Sequence, residues 1–83
     1  MMSVRTESAK PPLSPRERQI VRLVLLGESN KDIASRLGTS AHTVKNQLTT
    51  IYRKLGVANR ILLVAWAYQH PVALAEEERR ASA

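Results

Sequence analysis

The stretch Asn30–Leu55, NKDIASRLGTSAHTVKNQLTTIYRKL, constrains the fold of this chain more than any other. Ile33, Ala34 and Leu37 give a short helix one apolar face, because residues three and four apart share a side. Val44, Leu48, Ile51 and Leu55 recur at the same spacing and give a longer helix its own apolar face. Gly38-Thr39 lies between them, where the chain must leave the first helix through a backbone turn that favours φ > 0. Ser40 then opens the second helix. Two helices joined by a short turn containing glycine form a helix-turn-helix unit. The rest of the chain is expected to hold that unit in shape.

Length and composition bound the remainder. With 83 residues there is room for one domain and a modest core. Phe is absent and Trp occurs once, so the core must be aliphatic. The lack of Cys excludes disulfides and thiolate metal sites and fits a reducing compartment. No apolar run approaches the roughly 18 residues of a membrane span, and MMSVRTESAK carries no apolar signal core. A cytoplasmic protein without membrane contact is expected. The net charge is +6, and the pI of about 10.6 exceeds the value of about 9 that points to nucleic acid. Between Ser14 and Arg60 lie Arg16, Arg18, Arg22, Lys31, Arg36, Lys45, Arg53, Lys54 and Arg60, against Glu17, Glu28 and Asp32. The whole positive excess therefore sits in the helical part. Charge alone fits a solubilising surface equally well.

Taken in order, residues 1–12 are polar, contain two prolines and show no periodicity, so a disordered N-terminal arm or linker is expected. Ser14-Pro15-Arg16-Glu17 reads as a capping box with proline at the first helical position. Ile20, Leu23, Val24 and Leu26 are assigned to the core side of that helix, which ends at Gly27. A second helix, about 30–37, starts from Ser29 or Asn30 with Asp32 in its first turn. The third runs over about 41–55 and stops at Gly56. The fourth, about 60–70, is capped by Asn59 and stopped by Pro71. The run Ile61–Tyr68 also has the length of a buried strand, but its Leu- and Ala-rich composition favours helix. Residues 71–83 form a tail, frayed or disordered. The fold class is all-α: a four-helix, bundle-like domain over 13–70 with the helix-turn-helix at about 30–49.

The third helix separates two arcs. Val44, Leu48, Ile51 and Leu55, with Ala41 and Tyr52, make the apolar one. His42, Thr43, Lys45, Asn46, Gln47, Thr49, Thr50, Arg53 and Lys54 make the other. Asn and Gln can pair bidentately with adenine, and Lys and Arg favour guanine or phosphate. No acidic residue occurs from Ser40 to Leu55, so nothing on this arc would repel a duplex.

Four runs now carry a family resemblance. LSPRERQI (13–20), GESNKDIASRL (27–37), SAHTVKNQL (40–48) and RKLGVANR (53–60) together resemble the LuxR/NarL-type helix-turn-helix domain. The resemblance covers about 13–68. It implies a four-helix transcription regulator, usually the C-terminal part of a response regulator or of a protein with a ligand-sensing domain. It makes Thr43 and Lys45 DNA contacts, Lys54 a backbone contact, and Asn46 and Thr49 base-reading positions in the major groove. Gln47 stands where the family often has His, and Thr49 leaves its position uncharged. Asn30, Lys31, His42 and Arg53 complete the DNA-binding set, with Lys31 and helix-terminal amides facing phosphates.

The fourth helix is apolar nearly all round, whereas a helix packed by one face should be polar on the other. In relatives it forms the dimer contact, so Leu62, Ala65, Trp66 and Gln69 are expected to meet a second copy, with the two recognition helices about 34 Å apart. The partners expected are double-stranded DNA, a second copy of the chain and, as a further candidate, RNA polymerase. Two rivals use the same residues differently: a sigma region-four-like promoter module, and a protein-interaction module built on the fourth helix. No catalytic residue, metal ligand or cofactor site is assigned. His42 and His70 have no Cys, Asp or Glu arrangement for metal or catalysis.

Overall fold

The computed structural model describes residues 13–71. The arm at 1–12 and the tail beyond Pro71 lie outside the described residues. Four helices follow one another: α1 Pro15–Leu25, α2 Asn30–Leu37, α3 Ala41–Leu55 and α4 Arg60–Gln69. The described residues contain no strand. The all-α, four-helix reading holds.

Each helix begins where a side chain takes up an otherwise orphaned amide. Ser14 accepts from the Glu17 amide at 3.1 Å while Glu17 Oε1 accepts from the Ser14 amide at 2.9 Å, a complete capping box. Ser29 accepts from Asp32, Ser40 from Thr43 and Asn59 from Leu62. The choice between Ser29 and Asn30 thus resolves to Ser29, and Asn30 is the first helical residue. α4 ends one residue earlier than the proline stop suggests. His70 lies outside it, and its Nδ1–H donates to the Trp66 carbonyl at 2.8 Å.

The core is aliphatic, as the composition requires. Ile20, Val21, Ile33, Val44, Ile51 and Leu63 are fully buried, joined by Leu13, Val24, Ala34, Leu48 and Ala67. α1 touches each of the other helices, α2 lies mainly on α3, and α2 and α4 do not pack together. Two assignments are corrected. Leu26 is 73% exposed: it lies roughly 240° round the helix from Ile20 at 3.6 residues per turn, whereas Val21 falls on the core arc. Ala41, at the first position of α3, is exposed.

The turn between α2 and α3 depends on Gly38, whose φ of 70° is left-handed. The Gly38 and Thr39 amides both reach back to the Ala34 carbonyl, so the tight turn also closes the end of α2. A Cβ at Gly38 would meet nothing within 4 Å. Gly38→Ala should therefore cost only backbone strain, about 1–2 kcal/mol, with Gly38→Asn costing less. Thermal unfolding would show this as a drop in Tm of about 5–10 °C. An unchanged Tm for Gly38→Ala would mean that the turn can be remade without the left-handed residue.

Candidate nucleic-acid interface

Burial of Val44, Leu48 and Ile51 leaves α3 only one way to face. His42, Lys45, Asn46, Thr49, Arg53 and Lys54 are all exposed on its other side, and Thr43, Gln47 and Thr50 are half-buried at its margins. The structure thus brings together the α3 residues singled out from the sequence. Asn30 and Lys31 belong to another helix, at the start of α2, with Lys31 exposed and Asn30 half-buried. Among the described residues, Lys31, Lys45 and Arg53 have no ion-pair partner.

Several polar groups on this face are already engaged. Thr43 Oγ1 accepts from the Ser40 hydroxyl at 3.0 Å, which ties it to the cap of α3. Thr49 Oγ1 donates to the Lys45 carbonyl at 3.1 Å and Thr50 Oγ1 to the Asn46 carbonyl at 3.3 Å. Gln47 Oε1 is buried without a partner, so this amide turns its carbonyl inward. His42 and Asn46 meet at 3.3 Å one turn apart.

Two long-range polar ties hold the face in place, and neither could be read from local spacing. Lys54 Nζ donates to Glu17 Oε1 at 2.9 Å and Oε2 at 3.1 Å, joining the end of α3 to the start of α1. Arg60, half-buried at the start of α4, donates to Asn30 Oδ1 at 2.8 Å and to the Glu28 carbonyl. It thereby fixes the entry to α2 from a helix that does not pack on it. Glu28 in turn receives a two-bond fork from Arg36, both contacts at 2.7 Å. The only sequence hint to these ties was that Glu17, Glu28 and Arg60 are polar residues at helix ends, where several roles compete.

Burial alone would raise the Glu17 pKa. The Ser14 amide, the Lys54 ammonium and the Ser14 hydroxyl together outweigh it and hold this carboxyl below its usual range. The hydrogen bonds from Arg36, against an opposing desolvation and with help from its charge, do the same for Glu28, and Glu28 raises Arg36. A carboxylate with a lowered folded pKa stabilises the fold above its unfolded pKa, about 4.3 for Glu. That stability is lost as pH falls through the folded value. Glu17→Gln can still accept from the Ser14 amide but forfeits the ion pair, which for a partly exposed pair is worth up to about 1 kcal/mol. Melting curves should place Glu17→Gln below the parent at neutral pH and bring the two together in acid. A gap that persists at low pH would assign the loss to packing instead.

With this geometry in view, the comparisons with known proteins are specific. Residues 11–67 match the model for bacterial regulatory proteins of the luxR family. A Mycobacterium bovis protein named as an HTH-type transcriptional regulator, Mb0914c, is 58% identical over 52 residues, covering 63% of this chain and 6% of that protein. The transcriptional regulatory protein MctR of Rhizobium johnstonii is 36% identical over 72 residues, covering 87% of this chain and 34% of MctR. The chain spans only a small part of these relatives. No solved structure matches it. The chain belongs to the LuxR family, and its four helices are the helix-turn-helix domain of that family.

Proposed function

We propose that this domain binds double-stranded DNA sequence-specifically and regulates transcription in the bacterial cytoplasm, with α3 lying in the major groove. The observation that carries the reading is the face of α3: acid-free, with Lys45, Asn46, Thr49 and Arg53 exposed together. Asn46 and Thr49 meet base edges, and Lys45 and Arg53 meet guanine or phosphate. Lys31 and the amides at the starts of α2 and α3 take phosphates, as helix N-termini do. Lys54 reaches the backbone by giving up or sharing Glu17. RNA polymerase and an attached receiver or sensor domain belong to this reading as further partners.

Loss of a base contact and loss of a phosphate contact have different signatures. Asn46→Ala should cost on the order of 1–3 kcal/mol on a preferred duplex and little on a random one. Lys45→Ala, if the ammonium meets phosphate, should weaken both alike and flatten the salt slope by about 1. Fluorescence anisotropy across a salt series measures both. Identical behaviour of the two variants on preferred and random DNA would remove the assignment of roles.

The reading includes a two-fold pair, with α4 as the contact between copies. Leu62, Ala65 and Gln69 are exposed along this helix, flanked by Ile61 at 79% and Tyr68 at 74% exposure. Trp66 sits differently from the other three residues assigned to the contact. It is half-buried within its own protomer and stacks on His70, ring centroids 4.2 Å apart and planes 11° from parallel. An acidic residue at Trp66 would damage the fold, so Ile61→Glu and Leu62→Glu are the better probes. Sedimentation should show a dimer in the parent, with or without DNA, and a folded monomer in these variants. A parent that stays monomeric on a duplex carrying two half-sites would exclude the pair.

A further inference from the structure

We propose that His42 is a positioning residue for base recognition: it holds the Asn46 carboxamide in the orientation that reads adenine. The inference rests on α3 being the recognition helix and deepens that reading. His42 Nε2 and Asn46 Nδ2 lie 3.3 Å apart on the exposed side of α3. Among the described residues this is the one side-chain-to-side-chain hydrogen bond within α3 that spans a full turn. The neighbouring hydroxyls do not compete for it. Ser40 and Thr43 bond each other, and Thr49 and Thr50 donate to backbone carbonyls of their own helix.

The chemistry follows from the donor and acceptor inventory. A carboxamide offers two N–H donors and an oxygen with two lone pairs. With the ring proton on Nδ1, His42 Nε2 accepts one Asn46 N–H. Where that N–H is the one anti to Oδ1, the syn N–H and Oδ1 remain side by side for a base. That is the set adenine requires in the major groove, where N7 accepts and the N6 amino group donates. An asparagine alone on an exposed helix samples several rotamers and both amide orientations. A ring acceptor one turn earlier selects one of them before DNA arrives, so less ordering remains at binding. His42 then shapes specificity without touching a base.

The test compares the parent, His42→Ala, Asn46→Ala and the double variant on a duplex selected for tight binding. Copies of that duplex with each base pair replaced in turn, and a random duplex, complete the set. Asn46→Ala should flatten the preference at one A·T pair. His42→Ala should flatten it at the same pair, on the order of threefold to tenfold, and add nothing once Asn46 is gone. His42→Gln, whose carbonyl oxygen can also accept from Asn46, should restore part of the preference. Affinity for random DNA should change little in any of these variants, far less than the preference at the A·T pair. A His42→Ala effect that appears equally on random DNA would make the residue a phosphate contact. An effect at another pair, or one additive with Asn46→Ala, would make it a base reader in its own right. Either result, no effect at all, or an Asn46-dependent pair other than A·T would overturn the proposal. A parent that binds selected and random duplexes equally would instead overturn the reading of α3 itself, and this inference with it.

Discussion

Burial of one stripe of α3 is the constraint from which the rest follows. Val44, Leu48 and Ile51 are essentially inaccessible, held by the apolar faces of α1 and α2. Rotating α3 by even one residue would expose this stripe and bury Lys45 with Thr49, or Gln47 with Thr50, at a cost of several kcal/mol for unpaired polar groups. The polar face is therefore aimed outward by the core, not by its own contacts. That rigidity suits recognition, because base readers on a packed helix need no ordering of backbone when they meet a duplex. The core that achieves it has no Phe, and its one Trp lies on α4, so the stripe on α3 relies on aliphatic packing alone.

On this frame the structure places polar ties at the two points where a small aliphatic core is weakest, the ends of helices. Glu17 serves the start of α1 twice: it closes the capping box and anchors Lys54 at the end of α3. Arg60 secures the entry to α2 by reaching Asn30 and the Glu28 carbonyl from the start of α4. In the proposed complex both ties touch the interface. Lys54 divides its charge between Glu17 and a phosphate, and Asn30 presents only its amide N–H groups, its carbonyl being taken by Arg60. In that complex stability and DNA contact would draw on the same side chains at these ties, while among the described residues Lys45 and Arg53 have no ion-pair partner to give up and Asn46 is engaged only by His42.

The helices and their ends were legible in the sequence because their causes are local. Apolar residues at three- and four-residue spacing, Ser or Asn at each start, and glycine after each of the first three helices all act within one or two turns. The surface of α3 was legible for the same reason, since burying one arc of a helix fixes the other. Leu26 was misassigned because a leucine run gives a periodic pattern no clear phase, and Val21 took the place it was given. The Lys54–Glu17 and Arg60–Asn30 ties were not legible. They join residues 37 and 30 positions apart, and only the packing of the helices brings them together. The His42–Asn46 contact has helical spacing, but so do several other pairs on that arc. Only the folded helix shows which of them meet.

The most direct test of α3 as a reader of base sequence is selection of bound duplexes from a random pool, using the folded chain at moderate salt. The expected result is a single enriched motif with two-fold symmetry, its half-sites about one helical turn apart. A pool that stays unstructured while binding remains strong and salt-dependent would contradict it, leaving the basic face as a nonspecific phosphate surface.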